Sequence, residues 1–392
     1  MMTASRMVYI LSACRTPSGK FGGGLSRLTP AALGKTVAER LLANLPDKGL
    51  VDEVIFGQVL QAGAGMNLAR QIALASGLPE SVPAYTVNKV CASGMKAITL
   101  GASAIMSGQA NLVLAGGVEV MSMAPFLVDA GVRWGMKMGN LTLRDSLITD
   151  GLTDPTHGIH MGLTAEALAK KYGISREEQD RFALESQQRW KKAAEAGAFS
   201  LEITPVVAGK TSLREDETPR PDTNLEKLAA LQPAFSPEGT ITAGNASALA
   251  DGAAAVLLAS EEAAKIAGIE PLGRITDWCS VGLAPMDMGL GPAMAIRKLL
   301  AATNTRLEDY GLFEVNEAFA AQVLACLREE PIPPAKLNVH GGAIALGHPL
   351  GCSGARIIVT LLHALRSRGE KAGLASLCIG GGMGMATALE TQ

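Results

Sequence analysis

The sequence predicts an α/β fold in which a mostly parallel sheet is covered by helices and one α/β unit occurs twice. Three observations carry this. Strand-like runs, glycine-marked turns and helical periodicity alternate over most of the chain. Residues 90–98 (Val-Cys-Ala-Ser-Gly-Met-Lys-Ala-Ile) find an echo in 351–358 (Gly-Cys-Ser-Gly-Ala-Arg-Ile-Ile), and each helix opening is followed by a strand ending in glycines, at 112–117 and 376–382. Between these, residues 121–249 lose the alternation, as an inserted module would. An internal duplication predicts a pseudo-twofold axis with the two helix N-termini facing a shared cleft.

In chain order, a strand at 8–12 enters a turn-rich stretch, and Thr29-Pro30 caps a helix to about 44. A strand at 54–57 leads to a helix near 67–76, a strand at 84–88 leads to a helix opening at Cys91, and a strand at 111–115 ends in Gly116-Gly117. In the insertion, Ser175 and Glu178 form a capping box for a helix to about 194, and the charged, proline-rich segment 205–237 reads as surface loop. Alternation resumes with a strand at 253–259, a helix at 261–267, a strand at 272–281 and a helix at 292–302. There follow a strand at 312–316, a helix at 318–328, a strand at 337–339, a helix at 353–368 and a strand at 371–378. The domain division expected is a first half over 1–120, completed by 251–271, an inserted loop domain over 121–250 and a second half over 272–392.

With 392 residues, 48% hydrophobic and only 18% charged, the chain is long enough for two or three full cores. A net charge of −2 and 4% aromatic residues leave no footprint for nucleic acid or anionic lipid. No apolar run reaches membrane-spanning length, and the first strand begins too early to leave room for a signal peptide. The expectation is a cytoplasmic protein without membrane partners. Six scattered cysteines without C-x-x-C pairs suit neither a disulfide framework nor a metal site.

The chemistry is expected at Cys91. A helix N-terminus favours thiolate over thiol and can hold a developing oxyanion, although its effect of at most about 2 kcal/mol is too small to activate a thiol alone. A base is needed, and His348, just before the second helix opening, is the histidine that the duplication brings toward Cys91. Cys378 and Asn316 each close a strand at its C-terminal end, where α/β sheets place ligands, and the glycines after Cys378 offer bare N–H groups to the cleft.

Cys91 in Val-Cys-Ala-Ser-Gly, Ala243-Gly-Asn-Ala-Ser247 with Asp251-Gly-Ala, Asn316-Glu-Ala-Phe319, Gly341-Gly-Ala-Ile-Ala-Leu-Gly-His348-Pro and Cys378-Ile-Gly-Gly-Gly together resemble the thiolases, specifically their short-chain acetyl-CoA acetyltransferase branch. Arg15-Thr-Pro-Ser-Gly and the segment 115–124 resemble the family's N-terminal half, so the likeness spans nearly the whole chain. It implies duplicated βαβαβαββ halves in an α-β-α-β-α core with an inserted loop domain. It also implies a Claisen condensation of two acetyl-CoA to acetoacetyl-CoA and CoA, reversible as thiolysis, with no tightly bound cofactor and a homo-oligomeric dimer or tetramer. Cys91 would be the nucleophile, His348 its base and Cys378 the group that removes the α-proton. Asn316, through a water, would stabilise the enolate with His348, and the N–H groups of Cys91 and Gly380 would hold the oxyanion. His160, Met161 and Ser247 would meet pantetheine, with Phe319 and Leu152 as apolar walls and Arg220 toward the phosphates or adenine. His340 and Cys352 stand where Asn and Ala are common in that family.

Other readings are weaker. A decarboxylating ketosynthase would carry a second histidine in place of Cys378, and a nicotinamide oxidoreductase would need a G-x-G-x-x-G after the first strand. A 3-ketoacyl-CoA thiolase of β-oxidation and a non-catalytic acyl-binding homologue are the alternatives within the family.

Overall fold

The computed structural model describes residues 6–208 and 211–392. Nine strands form one continuous sheet path. Its order is Leu312–Val315, Ala372–Ile379, Met383–Thr391, Gly273–Gly282, Val8–Arg15, Ala250–Ala259, Leu112–Val120, Glu53–Gly57 and Ala84–Val87, with Gly19–Lys20 added to Ala250–Ala259. Read outward from the middle, both sides follow one rule. The first strand of each half is innermost, its last strand comes next, then the glycine-rich strand, then the second strand. The Ala84–Val87 strand has as its counterpart only a single parallel bridge, Phe313 to Leu337, so the strand expected at 337–339 is not formed.

The halves join where Val8, Tyr9 and Ile10 pair antiparallel with Ile275, Arg274 and Gly273. Two equivalent strands paired antiparallel are related by a twofold axis, so the repeat seen in the sequence is a repeat in space. The sheet is mixed, against the mostly parallel expectation: parallel pairing is confined to the outer strands of each half. The closing strand of each half returns antiparallel, and the second of these, Met383–Thr391, is a strand that the sequence reading missed. It follows Ala372–Ile379 through a hairpin whose Gly381 and Gly382 take φ of 82° and 84°, the left-handed region that favours glycine. Gly116 and Gly117 likewise lie inside a strand that runs on to Val120 instead of ending it.

Two helices form the middle layer, Ser93–Met106 and Leu350–Arg368, and they share one core with the strands of both halves. Their openings touch backbone to backbone. A Cβ on Gly94 would sit 2.8 Å from the Ala355 nitrogen, and one on Gly354 would sit 2.6 Å from the Met95 nitrogen. Any side chain there would force the helices apart. The outer layers are Pro30–Leu42 with Leu68–Ala75 on one side and Gly291–Thr303 with Ala320–Glu329 on the other. Thr29 caps the first of these as expected, accepting from Ala32 N–H.

Among the described residues of 121–249, no strand joins the main sheet. The segment carries three small hairpins, the helices Met161–Tyr172 and Arg176–Glu195, and the predicted capping box. Gly209 and Lys210, within the segment read as surface loop, lie outside the described residues. The rest of that segment is not all surface. The Asp216 side chain is buried against Arg15, whose guanidinium also meets buried Glu202 at 2.5 Å, so a three-member ion network clamps the insertion to the first strand. No described helix is long and apolar enough to cross a membrane.

Candidate active site

Cys91 does not sit on the helix; it lies two residues before its first residue, in a tight corner. Asn88 Oδ1 accepts from Val90 N–H, Ser93 Oγ accepts from Lys89 N–H and donates to the Val90 carbonyl, and Val90 takes φ of 49°. Left-handed backbone at a β-branched residue is a costly conformation, of order 1–3 kcal/mol, and here it turns the chain sharply just ahead of the thiol. The expected acidification of the thiol is outweighed. Burial pushes Cys91 up to about 11, opposed by the neighbouring N–H of Gly380 and by its own N–H. A helix terminus cannot offset full desolvation of a thiolate.

Gly380 begins the hairpin turn after Cys378. Cys378 is buried, and its thiol is held well above its usual value by burial and by the neighbouring Cys91 sulfur. Two thiols and two N–H groups therefore converge on one spot. Met161 closes it from below: its sulfur is 3.4 Å from where a Cβ on Gly380 would lie, in the core cluster that contains Cys378. It packs under that turn and is not among the residues lining the neighbouring cavity.

His348 precedes the second central helix by two residues and hangs from the Ala248 carbonyl by its N–H. Its Nδ1 is 2.6 Å from Ser353 Oγ, and that hydroxyl donates to the Pro349 carbonyl. With the serine hydrogen committed, Nδ1–H donates to Ser353 and Nε2 keeps its lone pair; this tautomer is assigned from the network. Nε2 is buried and has no partner among the described residues. Burial, then the charge of Arg356, lowers His348 to about 3, so the imidazole is neutral at physiological pH. Asn316 is fully buried, its Nδ2 is 3.4 Å from His348 Nδ1, and its N–H donates to the carbonyl of Ser376, two residues before Cys378. Because the two helix openings touch at Gly94 and Gly351, the corners bearing Cys91 and His348 adjoin.

A cavity of about 420 Å³ opens beside these groups. Leu152, His160, Arg220, Ser247 and Phe319, all singled out from the sequence, line it together with His348. His160 Nδ1 accepts from Gly162 N–H, capping the Met161–Tyr172 helix, and its ring stacks on Phe235 at 4.7 Å. Phe235 meets Phe319 edge-on at 6.0 Å. Phe235 was missed because it lies in the charged segment read as loop, where a lone aromatic carries no periodicity. Ser353 also went unnoticed, although its place in the first turn of the helix that His348 precedes is a usable signal. So did Glu119, a buried carboxylate that accepts from the N–H groups of Val59, Leu60 and Gly351 and ties the first half to the second helix opening. Cys352 is packed against Gly252, and burial pushes its thiol up to about 12. His340 lies edge-on to Phe199, away from the cavity.

The sequence profile of the thiolase N-terminal domain matches residues 8–262, and that of the thiolase C-terminal domain matches 269–391. An acetyl-CoA acetyltransferase of Pseudomonas aeruginosa is 52% identical over 388 residues, covering 97% of this chain and 98% of its own. One of Escherichia coli is 50% identical over 386 residues, with the same coverage. Among solved structures, human mitochondrial 3-ketoacyl-CoA thiolase in complex with CoA superposes with a TM-score of 0.96 at 46% identity, covering 99% of this chain and 98% of that one. The Bacillus anthracis acetyl-CoA acetyltransferase gives 0.95 at 44%, covering 99% and 100%. A duplicated fold with two thiols and a buried histidine at its axis, together with matches along the whole chain, leads to one conclusion: this chain belongs to the thiolase family.

Proposed function

We propose that the enzyme is an acetyl-CoA C-acetyltransferase, condensing two acetyl-CoA into acetoacetyl-CoA and CoA through an acetyl-Cys91 intermediate and catalysing the reverse thiolysis. The observation that carries this reading is the convergence of the Cys91 sulfur, the Cys378 thiol and the Gly380 N–H. Cys91 Sγ attacks the thioester carbonyl while His348 Nε2 takes its proton and delivers it to the departing CoA sulfur. The N–H groups of Cys91 and Gly380 donate to the oxyanion. Preorganised donors in a dry site are worth several kcal/mol at this step.

In the second half-reaction Cys378 passes its proton to His348 Nε2, and the thiolate so formed removes the α-proton of a second acetyl-CoA. Burial that keeps this thiol protonated at rest also makes its thiolate a strong base. Asn316, through a water, and the protonated Nε2 of His348 stabilise the enolate oxygen, the carbanion attacks acetyl-Cys91, and His348 returns its proton to the departing Cys91 sulfur while Cys378 keeps the α-proton. Atoms balance: one carbon–carbon bond forms, one thioester bond breaks, and both cysteines return to their starting state.

Pantetheine fits the cavity between His160, Ser247, Leu152 and Phe319, with Met161 supporting the catalytic turn, and Lys20 and Arg220 are the cations at its wall for the CoA phosphates. CoA thioesters are substrates here and no resident cofactor enters the scheme. The division into 1–120 with 251–271, 121–250 and 272–392 is the matching domain reading. Assembly as a homodimer or homotetramer is supported by exposed apolar residues of the insertion, Trp134 at 83% and Met138 at 91% exposure. A cytoplasmic place in lipid metabolism completes the proposal. The test of chain length compares thiolysis of acetoacetyl-CoA with that of a long-chain 3-ketoacyl-CoA; faster turnover of the long chain overturns the short-chain reading in favour of a β-oxidation thiolase.

A further inference from the structure

Glu314 and Asn316 stand two residues apart at the end of the Leu312–Val315 strand, so both side chains point to the same face, toward the second central helix. That helix presents Arg356, 4% exposed, one turn beyond Ser353. One guanidinium nitrogen, Nη1, lies 3.2 Å from Glu314 Oε2. The other, Nη2, lies 3.5 Å from Asn316 Oδ1. A guanidinium donates and never accepts, so only the carbonyl end of the Asn316 amide can face it. The Nδ2 end is thereby turned to the His348 side, at 3.4 Å from Nδ1.

We infer that Arg356 is a positioning residue for the condensation step: its planar fork, braced on Glu314, fixes the Asn316 amide with its donor end toward the enolate oxygen. A buried arginine requires a carboxylate partner, but it does not require an asparagine at the second nitrogen. The corresponding residue of the first half, Lys96, is only half-buried, and the matching strand there turns Ile55 and Gly57, not a buried carboxylate, toward the central helices. The fork is therefore particular to the half that carries Asn316 and His348. A lysine offers a point charge without the fork and cannot hold both partners in one plane. The same cation also faces His348 and contributes to keeping its imidazole neutral, while Glu314, Glu317 and Glu202 are the carboxylates bearing on this pocket.

The inference rests on the role proposed above for Asn316, and the two are separable by experiment. Arg356→Lys keeps the buried charge beside Glu314. It is expected to lower kcat for condensation about tenfold or more while KM for acetyl-CoA and the rate of Cys91 acetylation change little. Arg356→Gln removes the charge and is expected in addition to move the acidic limb of kcat/KM upward in pH, which a purely structural role would not do. Arg356→Lys leaves that limb in place. Wild-type condensation by a folded Arg356→Lys enzyme overturns the inference, as does an equal loss in both half-reactions. Asn316→Ala serves as the control: if it condenses at the wild-type rate, the role of Asn316 itself fails, whatever Arg356 does.

Discussion

Residues 88–94 (Asn-Lys-Val-Cys-Ala-Ser-Gly) and 348–354 (His-Pro-Leu-Gly-Cys-Ser-Gly) form the same corner in the two halves, each closing on a serine and a glycine at the touching helix openings. The serines share a position and differ in partner. Ser93 Oγ holds its own corner together, from Lys89 N–H to the Val90 carbonyl, whereas Ser353 Oγ anchors the His348 ring. The backbone differs as well. Val90 is forced to φ of 49° and the helix waits until Ser93, while its counterpart Leu350 is already helical. Aligned this way, Cys91 faces Gly351 across the repeat, and Cys352 matches Ala92. Duplication supplied two equal corners; one was strained to present a thiol beside its own N–H, and the other was packed to hold a base.

That division can be broken one residue at a time. Removing the nucleophile with Cys91→Ala is expected to abolish both acetyl incorporation and condensation, by about four orders of magnitude or to background, measured by mass spectrometry and by the acetoacetyl-CoA assay. His348→Gln removes the base and is expected to slow acetylation itself by about 10²–10⁴-fold, read by rapid quench. Unchanged acetylation would assign the base elsewhere. Ser353→Ala should slow turnover by about tenfold with a stability loss of about 1 kcal/mol, since only the ring's tautomer and orientation are affected. Ser93→Ala should lose comparable stability in denaturant melts. If the two serine variants had the same catalytic defect, the corners would not differ in the way described.

The smallest effect concerns pH. A buried acid with a raised pKa stays protonated until pH climbs toward that value, and Cys91 is pushed up to about 11. Alkylation of the resting enzyme by iodoacetamide should therefore keep accelerating through alkaline pH. A plateau near neutrality would mean a resting thiolate–imidazolium pair. His348, lowered to about 3, works in the opposite sense for stability: its neutral form is favoured on folding, so its contribution is fully present above its ordinary value and is lost as pH falls toward 3.

Much of the scaffold was legible because apolar periodicity, glycine blocks and caps are local signals. The Pro30–Leu42 and Glu261–Ala267 helices and the capping box at Ser175 fall where side-chain chemistry places them. Glycine was the ambiguous sign. Gly116 and Gly117 looked like a strand end, but they lie mid-strand because another backbone presses on them; a Cβ on Gly117 would meet the Gly351 carbonyl oxygen at 2.0 Å. Only the tertiary fold reveals such a neighbour. The candidate site was legible as separate motifs, and the duplication gave the reason for joining them. The Glu314–Arg356 pair was not, since a strand carboxylate and a helix arginine 42 residues apart carry no local mark. Neither was the burial that reverses the expected acidity of Cys91.

The central claim is that one corner carries the acetyl group and the other half supplies the proton chemistry of condensation. Incubating Cys378→Ala enzyme with acetyl-CoA and following both protein mass and acetoacetyl-CoA tests it most directly. The account predicts stoichiometric acetylation of Cys91 with no condensation. Condensation at an undiminished rate, or failure of Cys91 to become acetylated in a folded enzyme, would contradict it.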